Sequence, residues 1–87
     1  MSEAAEAGLR LDEFPLKTVG VINRIDWDLL GEGARRLREL GFAEGVEVEP
    51  LHRGFIGRDP LACRIGRMTI AIRRVQAAAI RVSPTPA

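Results

Sequence analysis

Tyrosine is absent from this chain, histidine and cysteine occur once each as His52 and Cys63, and aromatic residues make up only 5% of the 87 positions. Each shortage excludes something. With so few aromatic rings, the stacked platforms on which single-stranded nucleic-acid bases rest are not available. A lone cysteine closes no internal disulfide, which fits a reducing compartment. No run of 18 apolar residues is present, so no helix long enough to span a bilayer is expected. The first eight residues are rich in Ala and Glu and lack the basic start and apolar stretch of a secretory signal. A cytoplasmic location follows as the expectation.

The reactive groups are equally sparse. The serines, Ser2 and Ser83, lie near the two ends, so no Ser–His–Asp arrangement can be assembled. Gly31-Glu32-Gly33 lacks the spacing and the lysine of a nucleotide-binding loop. Asp26 and Asp28 flank Trp27, but a polar loop ahead of a helix accounts for them without acid–base chemistry. Cys63 and His52 remain as the one nucleophile–base combination, and no third group orients them. No enzyme is expected. The same two residues, with Asp59, are weak candidates for a ferrous or other transition-metal ion, because structural sites ordinarily recruit four ligands in pairs. No resident cofactor is expected.

What is present is a strong charge asymmetry. The net charge is +1, yet residues 1–51 carry 6 basic and 11 acidic side chains, whereas residues 52–87 carry 7 arginines against Asp59 alone. Guanidinium groups recognise phosphate, but arginines alternating along strands also make an ordinary solvated face, and no nucleic-acid partner is expected. At 87 residues the chain is one domain, able to bury about 60–65% of its unfolded surface.

The pattern along the chain is mainly β. Residues 1–10 read as a flexible leader and 83–87 as a Pro-rich tail, leaving 11–82 as the folded domain. Leu11 and Phe14 suit a turn stopped by Pro15. β-branched residues mark a first strand over Thr18–Ile25. Leu30, Ala34, Leu37 and Leu40 then form a helical stripe, with Asp28 as N-cap and Gly41 at the C-terminus. A strand over Val46–Arg53 carries Pro50, which suggests an edge or a bulge. Gly54–Asp59 reads as a loop in which Phe55 and Ile56 either plug the core or face a partner. Pro60–Ile65 and Met68–Arg73 form a hairpin about Gly66-Arg67, Arg74–Ala77 makes one turn, and Ala79–Val82 closes the domain. Five short strands hide their edges best by closing on themselves, so a small barrel is expected.

Two blocks carry a family resemblance. Arg36-Leu37-Arg38-Glu39-Leu40-Gly41-Phe42-Ala43-Glu44-Gly45 resembles the helix–Gly–strand motif of the FeoA family. Gly57-Arg58-Asp59-Pro60, Gly66, Ile70-Ala71-Ile72-Arg73 and Ile80-Arg81-Val82 resemble that family's Gly-Asp-Pro turn, hairpin glycine and closing strands, with Arg58 inserted in the turn and Ile72 in place of Leu. The resemblance implies an SH3-like five-stranded barrel with one helix inserted after the first strand. It further implies a non-enzymatic accessory protein of bacterial ferrous iron uptake, acting on FeoB, a membrane permease with a cytoplasmic GTPase domain, and meeting the membrane only through that partner. The same barrel type forms the C-terminal domain of iron-dependent repressors, which keeps a metal-sensing or nucleic-acid-binding module as the alternative. Trp27, Arg35, Arg36, Phe55 and Ile56 are the candidate partner contacts, since exposed aromatic and arginine side chains anchor interfaces. A homo-oligomer through an edge strand is also open.

Overall fold

The computed structural model describes residues 8–85. Six strands form one antiparallel sheet: β1 (Leu9–Arg10), β2 (Gly20–Ile25), β3 (Glu47–Arg53), β4 (Leu61–Ile65), β5 (Met68–Ile72) and β6 (Ile80–Pro84), in the order β1-β6-β2-β3-β4-β5. Two short helices, α1 (Trp27–Leu30) and α2 (Gly33–Leu40), follow β2, and a single turn, α3 (Arg74–Ala77), joins β5 to β6. The inner-facing residues of β2 to β6 meet in one core, among them Ile22, Ile25, Val48, Leu61, Cys63, Ile72, Ile80 and Val82. Phe14 from the 11–14 turn and Phe42 after α2 are fully buried in it. Burial of side chains this large contributes about 1.5–3 kcal/mol each.

The five expected strands are all present, and the differences lie at the ends and in the helix. Leu9 and Arg10 pair with Val82 and Arg81, so the expected leader gives up its last two residues to a sixth strand. Ser83 and Pro84 extend β6 against Val21 and Gly20, where a tail was expected. Proline is tolerated there because the ladder ends with it. The remainder of the expected leader and tail, residues 1–7 and 86–87, falls outside the described residues.

The single expected helix is two. Gly31 adopts φ 57° and closes α1 after one turn. Its cap is therefore Asp26 and not Asp28: the Asp26 carboxylate accepts the Leu29 N–H at 3.0 Å. In α2, Ala34 and Leu37 are buried, while Leu30 and Leu40 pack against the core from its margin, so the apolar stripe holds across the break. Gly41 ends α2 in the left-handed region at φ 105°, as its sequence position suggests.

Pro50 lies buried in β3, opposite Cys63 of β4 and beyond the end of the β2–β3 ladder. The β3–β4 register shifts between Pro50, opposite Cys63, and His52, opposite Ala62. The expected bulge is thus there, and it accommodates a residue without an N–H. The Pro50 carbonyl accepts the Lys17 N–H at 2.6 Å, which holds the 15–19 segment against β3. No described helix is long and apolar enough to cross a membrane.

Candidate functional site

The loop between β3 and β4 is the most unusual surface of the molecule. Its base is narrow. The Gly54 N–H donates to the Pro60 carbonyl at 3.0 Å, and a Cβ at Gly54 would stand 2.1 Å from the Asp59 carbonyl oxygen. Only glycine fits so close an approach of two backbone segments. The Asp59 N–H donates back to the Ile56 carbonyl at 3.2 Å, which turns the tip on itself. Two apolar side chains project from this tip: Phe55 is 106% exposed and Ile56 88% exposed. The plug expected as one reading of these residues is therefore excluded.

A layer of polar contacts fixes the loop to the rest of the domain. The Asp59 carboxylate accepts the Arg74 N–H at 2.9 Å and so caps the start of α3 from a distant part of the chain. It also faces the Arg73 guanidinium at 3.8 Å. Arg74 reaches back to donate to the Gly57 carbonyl at 3.2 Å and stands 3.6 Å from Asp12. Asp12, only 6% exposed, in turn accepts two bonds from Arg10 at 3.1 Å. The hydrogen bonds and charge of Asp12, then the charge of Glu13, raise the Arg10 guanidinium above its ordinary value. Arg53 donates to the Asp12 and Phe14 carbonyls at 2.9 and 3.0 Å, tying β3 to the 11–14 turn. Ordered contacts at the base thus hold an apolar tip in water, where apolar surface is unfavourable unless something covers it.

The other candidate contacts lie on α1 and α2. A Cβ at Gly33 would lie 2.9 Å from the Gln76 side chain, so the start of α2 abuts α3. Trp27 is half-buried against the core, with the Arg38 guanidinium 4.3 Å above its ring. It serves as a lid more than as a free anchor, and the stacking cation is Arg38, which sequence reasoning did not single out. Arg35 and Arg36 are exposed on α2, Arg35 facing Glu39 at 3.9 Å. Val75 on α3 and Leu29 on α1 are exposed apolar residues that sequence reasoning also passed over. An amphipathic reading of a single helical turn carries too little signal to find them.

The metal candidates do not converge. The bulge sends His52 to the exposed outer face, while Cys63 points into the core. Burial pushes the Cys63 thiol up to about 11, away from the thiolate that a metal requires. Asp59 is committed to α3. Among the described residues no three His, Cys, Asp or Glu side chains are grouped to hold an ion. The same separation leaves Cys63 and His52 unable to act as nucleophile and base.

A six-stranded antiparallel sheet, a helical segment inserted after β2 and a narrow-based loop with an exposed apolar tip define a small SH3-like module. Residues 9–84 match the FeoA domain family, and the chain belongs to that family. FeoA from Stenotrophomonas maltophilia, solved as a zinc complex, is 36% identical over 87% of this chain and 91% of its own, with a TM-score of 0.73. It is described as a procaryotic SH3 domain protein, with a role in activating bacterial ferrous iron transport suggested for it. FeoA from Chlorobium tepidum, at 23% identity over 90% of this chain and 71% of its own, shares the fold with a TM-score of 0.76. A manganese-dependent transcriptional repressor, at 19% identity, matches 88% of this chain within 41% of its own with a TM-score of 0.78, which is likeness of fold alone. No relative was found among curated protein sequences.

Proposed function

We propose that this protein is a non-enzymatic accessory factor of ferrous iron uptake that docks on the cytoplasmic part of the FeoB permease through the Phe55–Ile56 loop. Family membership supports the iron-uptake setting. The observation that carries the docking surface is the pairing of a fixed loop base with a fully exposed apolar tip. Pre-ordering the loop lowers the entropy lost on binding, and a buried aromatic anchor flanked by arginine is the usual source of interface affinity. Arg58, exposed beside the tip, adds a cation for an acidic rim on the partner. The likeness to a repressor domain adds no support for a sensing or nucleic-acid role, because nothing at the loop groups metal ligands.

The test is a binding titration of the purified protein against detergent-solubilised FeoB. Truncating Phe55 and Ile56 together to alanine is expected to weaken binding by tenfold or more and to lower ferrous iron uptake in cells at unchanged protein level. Wild-type affinity in that double variant would exclude the loop as the docking surface.

A further inference from the structure

The outer face of the sheet carries a row of three arginines. Arg10 on β1 lies directly opposite Arg81 on β6, and Arg81 directly opposite Arg24 on β2. Side chains so paired share a face with Cβ atoms about 4.5–5.5 Å apart, and like charges in that relation destabilise a sheet. The row is treated unevenly. Arg10 is neutralised by Asp12 and Glu13 at 3.1 Å each. Among the described residues, neither Arg24 nor Arg81 has an ion-pair partner. Both line a half-enclosed pocket of about 220 Å³, floored by Ala78 and Ala79 and rimmed by Asp26 and Leu29. The Asp26 carboxylate is engaged by the Leu29 N–H and forms no ion pair with either guanidinium.

We propose that Arg24 and Arg81 form a binding pocket for a phosphate group. Two adjacent guanidiniums present two donor forks, and a tetrahedral dianion offers enough oxygens and charge to satisfy both, whereas a carboxylate saturates one. The pocket is smaller than the roughly 300–1,000 Å³ that enclose drug-sized ligands. It therefore admits a phosphate and not the whole of a nucleotide. Occupancy would relieve the cross-strand repulsion between β2 and β6, so ligand binding and sheet stability are coupled. This site is separate from the Phe55–Ile56 loop, and it is tested without any partner protein.

The experiment is a titration of the isolated full chain with inorganic phosphate at low ionic strength, followed by amide chemical shifts. Saturable shifts are expected at Arg24, Asp26, Ala79 and Arg81. Arg24→Gln and Arg81→Gln are expected to weaken binding at least tenfold, and Arg67→Gln, in the exposed β4–β5 turn and outside the pocket lining, to leave it unchanged. Phosphate is expected to raise the Tm of the wild type and not that of the two pocket variants. Flotation with vesicles containing phosphatidic acid, whose headgroup is a phosphate monoester, separates the sources: recruitment lost in both pocket variants assigns the phosphate to a lipid headgroup, and phosphate binding without flotation assigns it to a soluble ligand. Shifts that never saturate, an equal effect of Arg67→Gln, or equal binding of acetate would overturn the proposal.

Discussion

Phe14 and Phe42 on one side, and Phe55 and Ile56 on the other, are alike in chemistry and opposite in placement. The first pair lies 1% exposed within the core, and the second projects almost wholly into water. The difference is not hydrophobicity but what the backbone around each residue permits. Phe14 and Phe42 sit where a turn or a helix end delivers them beneath the sheet. The 54–60 loop is held outward by its narrow base and by the Asp59–Arg74 contacts, so its apolar residues have no route inward. Stability therefore resides in the first pair, and the proposed docking surface lies at the second.

Four measurements break or sharpen that contrast. The largest effect is expected from Phe42→Ala, which leaves a cavity in a filled core and should cost about 3–5 kcal/mol in denaturant unfolding. In a domain of this size that is a large share of the whole. Next is the alkaline response of the core. The Cys63 thiol is raised from 9.0 to about 11 in the folded state because burial disfavours the thiolate. The folded state thus holds the proton longer than the unfolded one, and stability is full below about pH 9 and falls as pH rises towards 11. At about 1.4 kcal/mol per unit, the loss is on the order of 2–3 kcal/mol. With no tyrosine and with Lys17 as the only lysine, few other groups titrate in that window. Unfolding curves of Cys63→Ala should lack the slope, and an unchanged slope would place its origin elsewhere.

A smaller effect is expected at the loop base. Gly54→Ala forces its new Cβ against the Asp59 carbonyl, and overpacking of this kind costs about 1–3 kcal/mol. Thermal unfolding should show that loss, and FeoB binding should weaken with it because the tip is no longer fixed. The smallest effect on stability belongs to Phe55→Ala, whose side chain touches water and should stay within about 0.5 kcal/mol of the wild type. A loss near that of Phe42→Ala would mean that the loop tip packs inward and would erase the contrast.

Much of the architecture was legible in the residues. A β-branched run marked the first strand, the Gly66-Arg67 turn marked a hairpin, and the Leu30–Leu40 stripe marked the helical segment with Gly41 closing it. The errors came where local pattern and tertiary contact compete. Asp28 looked like the cap because the stripe begins after it, but the break at Gly31 moved the cap to Asp26. Leu9–Arg10 read as the end of a leader with little to bury and Ser83–Pro84 as the start of a Pro-rich tail, and each is a strand only because another strand lies beside it. Among the candidate site residues, Phe55 and Ile56 were named with their exposure undecided, and both are exposed. Trp27 proved to be half-buried beneath Arg38, and His52 and Cys63 proved to face opposite sides of the sheet.

The sequence by itself determined the mainly β class, the family, the poverty of catalytic groups and the order of the principal elements. The family follows from the resemblance carried by two motif blocks, and the rest from periodicity, turn chemistry and composition, which are local properties of the chain. Only the tertiary structure decided which faces the side chains occupy. The one-residue bulge at Pro50–His52 parts His52 from Cys63, and cross-strand register alone brings Arg24 beside Arg81. A bulge or a register reverses the side on which a residue falls while leaving its local pattern intact. Direction on a sheet is therefore settled by the neighbouring strand.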